Sequence, residues 1–179
     1  GIYKDITDQD YIQYTANAEV VREKILSKEK NIIKNLIDLI PSHPISNYAF
    51  SNNGDLTFTN KAKEWGLAEP GFSNGSAYGD LDNDGDLDLV INNVNMPCFV
   101  YRNESVQQHP ENKFLQVTLQ GEGKNKFGIG TKVTVHYNHT IAYQEQMPMR
   151  GFESTVDNKL NFGLGKTTVV DSVVVVWSN

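Results

Sequence analysis

From residue 8 to residue 40 the apolar positions recur at helical spacing, and beyond residue 45 they recur at strand spacing. Val20, Val21, Ile25, Leu26, Ile32, Ile33, Leu36, Ile37 and Ile40 fall at three- and four-residue steps, which predicts helix from Asp8 to Ile40. Pro41 and Pro44 end it. The apolar stripe reads as a docking face for the rest of the domain, with a partner-binding helix as the alternative. Further on, Asn47 to Phe50 and Leu56 to Thr59 flank Asn52-Asn53-Gly54-Asp55, the pattern of a hairpin about an Asn-Gly turn. Lys61 to Trp65 predicts a helical turn closed by Gly66. Strand-like runs follow at Ser76 to Gly79, Leu87 to Ile91 and Met96 to Tyr101. About four strands in roughly 55 residues is the size of one propeller blade.

Gln107 to Asn112 is polar, carries Pro110, and reads as a linker. Strand patterning resumes at Phe114 to Leu119, Lys132 to Tyr137, Ile141 to Gln146 and Val169 to Trp177. Leu115, Val117 and Leu119 alternate with polar neighbours, as do Val133, Val135 and Tyr137. Tyr137-Asn138-His139-Thr140 reads as a hairpin turn, and Phe162-Gly163-Leu164-Gly165 as a turn with packing glycines. The predicted fold is mainly β with an N-terminal helical segment: one propeller-blade-like antiparallel sheet plus a small all-β, sandwich-like C-terminal domain. Its expected divisions are a helical segment over 1–44, a blade over 45–106 and a β domain over 113–179.

The densest chemistry lies in nine residues, Asp80-Leu81-Asp82-Asn83-Asp84-Gly85-Asp86-Leu87-Asp88. Five carboxylates in so short a stretch repel one another unless a hard cation with six to eight oxygen ligands neutralises them, and calcium is the usual choice. The D-x-D-x-D-G-x-x-D spacing lets the side chains of Asp80, Asp82, Asp84 and Asp88 converge on one ion. Asp86 can add its main-chain carbonyl, while Gly85 takes a bend that a Cβ would hinder. The loop is not an EF-hand. Position 12, where that motif needs a bidentate Glu, is Ile91, and the flanks read as strands rather than helices. An acidic, solvated turn without metal is the bland alternative.

Composition narrows the classes. Apolar residues make up 39% and charged residues 21%, as in an ordinary globular protein. Net charge is −6 and no Lys/Arg cluster exists, which argues against nucleic acid as a partner. The longest apolar run, Val173 to Trp177, is far below the roughly 20 residues of a membrane helix, so no transmembrane segment is expected. The single cysteine, Cys98, has no internal disulfide partner and reads as a buried small hydrophobe. An N-terminal Gly without Met is expected of a processed or engineered piece. Weak calcium loops fill at the millimolar calcium found outside cells, which points to export.

Other motifs carry less. His136 and His139 flank the expected turn and read as exposed hairpin residues, with no third ligand at metal spacing. Gly121 to Gly130 is glycine-rich but lacks the G-x-x-x-x-G-K-[ST] order and a following helix, so it reads as a loop rather than a phosphate cradle. No Ser/His/Asp or Cys/His arrangement is recognisable, and no catalytic residue is assigned. Asn74-Gly75-Ser76, Asn103-Glu104-Ser105 and Asn138-His139-Thr140 match the glycosylation sequon without gaining a role from it.

Tyr78 to Val90 resembles the calcium-loop segment of FG-GAP/VCBS-type repeats, each a β-propeller blade as in integrin α-subunit heads. That resemblance implies the same five ligands, Asp80, Asp82, Asp84, Asp86 and Asp88. Phe127 to Val133, Arg150 to Ser154, Leu160 to Gly165 and Val169 to Trp177 are similar to the ASPIC/UnbV domain, which often follows such repeats in secreted proteins. The two resemblances cover residues from about 45 to 179. Relatives in bacteria of the Bacteroides type are commonly cell-surface or outer-membrane-associated, with no enzymatic reaction to carry over. Relatives usually hold many repeats where this chain holds one, and continue past the tryptophan, so a C-terminal fragment is expected. Its lone blade would leave strand edges open to an edge-mediated oligomer. The functional expectation is a non-enzymatic, exported, calcium-binding adhesion or ligand-binding module, taking an extracellular protein or glycan, with Ca2+ locking the acidic loop. The alternative is an accessory domain of an extracellular glycan-processing enzyme.

Overall fold

The computed structural model describes residues 1–26 and 31–178. It is mainly β, with several small antiparallel sheets, a few short helices and no closed barrel. The chain divides into two compact units: Gly1–Ser73 with Asn93–Pro97, and Asn74–Asn92 with Cys98–Asn179. The stretch 45–106, read as one blade, contributes to both.

In the first unit the helical stretch is segmented. Among the described residues it forms α1 (Gln9–Ala16), α2 (Ala18–Leu26) and α3 (Ile32–Asp38); part of the expected continuous helix, residues 27–30, lies outside them. Asp8 caps α1, its carboxylate accepting from the Tyr11 N–H at 2.9 Å. Asn17 breaks the run. Its backbone is extended (φ −72°, ψ 111°), and its side-chain oxygen accepts from the Glu19 N–H at 3.0 Å, starting α2. Short polar side chains compete for backbone groups in this way, and local capping here overrides the apolar period. Among the described side chains the expected stripe is only partly covered: Val21, Leu26, Ile33 and Ile37 are exposed, Val20, Ile32 and Leu36 are half-buried, and Ile40 is buried.

Beyond the helices, β1 (Ile45–Ser46) pairs with β4 (Pro70–Gly71). The expected hairpin forms from β2 (Phe50–Asn52) and β3 (Phe58–Asn60), with Asn52 opposite Phe58. Its turn is wider than two residues. Gly54 and Leu56 both take positive φ (81° and 67°), and the Asp55 carboxylate accepts from the Thr57 N–H (3.1 Å) and hydroxyl (2.5 Å). The helical turn after Asn60 closes with the Trp65 N–H on the Lys61 carbonyl at 2.9 Å.

In the second unit β5 (Ser73–Gly79), β6 (Asp88–Asn93) and β7 (Phe99–Tyr101) form a three-stranded sheet, with the acidic loop between its first two strands. Cys98, expected buried, is exposed, because it precedes β7 beside Pro97 rather than lying inside a strand. A helical turn, α4 (Ser105–Gln108), runs into the start of the expected linker.

The sandwich-like part follows. Here β8 (Lys113–Thr118) pairs with β11 (Lys159–Gly165), while β9 (Lys132–Tyr137) lies between β10 (Thr140–Glu145) and β12 (Ser172–Val176). β11 corrects the expected turn at Phe162 to Gly165. Leu160, Phe162 and Leu164 are buried at every second position, the signature of a strand with one face on a core, and the intervening glycine obscured it. These three side chains pack with Leu119, Val133 and Val135 in one apolar cluster joining both sheets. The β9–β10 hairpin has the expected two-residue turn: Tyr137 sits opposite Thr140, and Asn138 and His139 both take positive φ (42° and 59°).

Candidate metal centre

The acidic loop is built from side chains accepting main-chain N–H groups. Asp80 accepts from the Asp84 N–H at 3.1 Å and the Gly85 N–H at 3.2 Å, folding the chain back on its first carboxylate. Asp84 accepts from the Asp86 N–H at 3.2 Å. The bend needs left-handed backbone at Asn83 (φ 60°), a residue that tolerates it, and at Gly85 (φ 99°). A Cβ on Gly85 would also collide with the Phe114 ring of β8.

This folding brings three of the five aspartates together. One carboxylate oxygen each from Asp80, Asp82 and Asp84 lies within 4.8 Å of the others. Calcium–oxygen distances of about 2.3–2.6 Å allow two ligands of one ion to lie up to about 5 Å apart, so the spacing suits a shared cation. Asp86 and Asp88 are buried and outside that group. The Asp88 oxygens accept from the Leu81 N–H (2.9 Å) and the Asn103 N–H (2.8 Å), latching the loop's start and the segment after β7 to its end. One Asp86 oxygen accepts from the Val106 N–H at 3.0 Å, and the other is buried without a hydrogen-bond partner. Burial pushes the Asp86 carboxyl up, and the charges of Asp84 and Asp88 push the same way. Asp84 is held below the usual carboxylate range, chiefly by the Gln107 amide donating at 2.5 Å.

Hard oxygen donors only, three carboxylates at shared-ion spacing and an orphaned buried carboxylate oxygen together fit a hard divalent cation. Arg102 supplies partial compensation, with Nε 3.0 Å from Asp82 and Nη2 3.8 Å from Asp84. Sequence reasoning missed Arg102, Asn103 and Gln107. For Arg102 a signal existed, since it is the only Lys or Arg between Lys63 and Lys113. The other two act across 15 to 23 residues and leave no mark in local spacing.

The remaining candidates stay apart from this centre. His136 lies at the end of β9 and His139 in its turn. The loop 121–130 is closed by neutral side chains: Asn125 accepts from the Ile129 N–H at 2.8 Å and donates to the Ile129 carbonyl at 3.0 Å, and the Ser178 hydroxyl donates to the same carbonyl at 2.7 Å. Among the described residues no helix is long and apolar enough to cross a membrane.

Residues 37–91 match the family model of an FG-GAP-like repeat, and residues 121–179 match that of ASPIC and UnbV. The chain carries an FG-GAP-like repeat followed by an ASPIC and UnbV domain. No curated protein is similar enough to count as a match. The FG-GAP-like repeat holds the whole acidic loop, and the ASPIC and UnbV domain holds β9 to β12. Arg102, Asn103 and Gln107, which brace the loop, belong to neither matched segment.

Proposed function

We propose that this chain is a non-enzymatic, exported ligand-binding or adhesion module in which a calcium ion locks the loop from Asp80 to Asp88. The convergence of Asp80, Asp82 and Asp84 within 4.8 Å carries the reading, because nearby Arg102 is one cation against five carboxylates. Asp80, Asp82, Asp84 and Asp88 are the side-chain ligands of this reading, with Asp86 offering its carbonyl. Asp88 keeps a free lone pair on each oxygen while it latches Leu81 and Asn103. The ion's role is structural: it removes the repulsion and fixes the turn between β5 and β6. A cation at ten times its Kd would stabilise the fold by about 1.4 kcal/mol. An extracellular or cell-surface setting, where calcium is millimolar, suits a weak loop of this kind.

Calorimetric titration with calcium, paired with melting curves in calcium and in EDTA, tests the proposal. Saturable binding at one site with a calcium-dependent rise in Tm is expected. An unchanged Tm and unchanged amide exchange across residues 80–88 after chelation would overturn it.

A further inference from the structure

A second feature of the same unit has no part in ion binding. A cleft of about 380 Å³ lies where the ends of β10 and β11 meet Tyr78 of β5 and Leu87 of the acidic loop. That volume is in the range of small-molecule sites. Its polar lining is mixed and charge-balanced, with Arg150 and Lys159 against Glu145 and Asp157. Lys159 and Asp157 pair at 3.6 Å. Arg150 has only neutral acceptors: its Nε donates to the Tyr78 hydroxyl at 3.1 Å, and its Nη1 to the carbonyls of Met147 and Met149. No carboxylate pairs with it among the described residues.

Asn161, one of the lining residues, also carries an unmet acceptor. The side-chain oxygen of Asn161 is buried and has no hydrogen-bond partner. Such an atom costs free energy until a donor reaches it. Leu87, Val156 and Leu160 supply apolar surface beside these groups. Fixed donors, fixed acceptors, apolar patches and no net charge together describe a receptor for a neutral polyol, whose hydroxyls donate and accept at once. A strand-like peptide fits less well, because the main-chain acceptors it would need are taken. Gln144 donates to the Asn161 carbonyl at 2.6 Å and Gln146 to the Asn158 carbonyl at 2.8 Å.

We infer that the cleft between Tyr78, Arg150 and Asn161 binds a neutral saccharide unit. The inference deepens the ligand-binding reading above and rests on it, but not on the ion. Titration of the full chain with neutral oligosaccharides of glucose, galactose, mannose and N-acetylglucosamine tests it, with uronate oligosaccharides and short acidic peptides in parallel. Saturable binding of at least one neutral sugar is expected. Amide shift changes on the wild-type protein should centre on residues 144–150 and 158–161. Asn161→Leu keeps the main-chain bond from Gln144 and removes the orphaned acceptor, so it should leave Tm unchanged or higher while weakening the sugar about tenfold or more. Arg150→Gln should weaken it similarly. The inference falls if no neutral sugar saturates, if uronates or peptides bind more tightly, if the shifts centre elsewhere, or if both variants bind as well as wild type. Sugar binding that persists in EDTA supports the cleft even where calcium binding fails.

Discussion

Two loops of the second unit solve the same steric problem with opposite electrostatics. The loop 121–130 turns sharply and is closed by Asn125, whose amide donates and accepts within the loop and carries no charge. The loop 80–88 turns as sharply, but its acceptors are five acidic side chains, set against main-chain N–H donors and one arginine. The first loop is closed by neutral groups alone, with Ser178 adding a hydroxyl to the Ile129 carbonyl at 2.7 Å. The second has an excess of acceptors, visible in the orphaned Asp86 oxygen, and under the proposed function a cation meets that excess.

The sharpest way to break this contrast is Asp80→Asn. Asp80 is the pivot of the acidic turn, so calcium affinity should fall about 100-fold, or about 2.7 kcal/mol. In EDTA the variant loses one repelling charge but also one of the two N–H bonds that Asp80 accepts, so its Tm should lie close to that of wild type. Calorimetric titration with melting curves in both buffers checks this, and a large loss of Tm in EDTA would contradict it. Asn125→Ala should give the complementary pattern: a loss of about 1 kcal/mol that is equal with calcium and with EDTA, seen by denaturant unfolding. If calcium rescued it, the two loops would not be independent.

The contrast was half legible in the sequence. The Asp80 to Asp88 alternation, Gly85 and the strand flanks belong to nearest-neighbour chemistry, and so does the Asn138-His139 turn. Gln107 and Asn103 reach the loop only after the chain has folded back, so no spacing rule exposes them. β11 went unseen because Gly163 and Gly165 outweighed the alternation of Leu160, Phe162 and Leu164, and glycine depresses strand propensity without forbidding it. The helical stretch was overread because its apolar period was stronger than one capping residue, Asn17. Period reports which face could be buried, and here Val21, Leu26, Ile33 and Ile37 remain exposed.

Smaller effects sharpen the comparison further. Arg102→Gln frees Asp82 and Asp84 from a competing cation, so calcium affinity should rise about two- to fivefold, as suits an exposed ion pair. A fall would show that Arg102 organises the site rather than competing for it. The smallest effect concerns a third loop, in which a single carboxylate has donors enough. Asp55 is held below the ordinary carboxylate range by the Thr57 hydroxyl and N–H. A group whose folded pKa is lowered contributes stability above its unfolded value, and loses it as pH falls through the folded one. The Tm gap between wild type and Asp55→Asn should therefore shrink as pH drops from about 5 towards about 2. A gap independent of pH would remove the charge from the explanation.

The place of β9 sets a timetable for folding. On one side it meets β10 across a two-residue turn, a closure that completes in microseconds. On the other it meets β12, whose Ser172 pairs with His136 from far along the chain. Val133 and Val135 are thus paired early on one edge and left waiting on the other. Non-local pairing is the slower step, because the loop entropy must be overcome before its contacts form. Refolding followed at β10 should run ahead of refolding followed at β12.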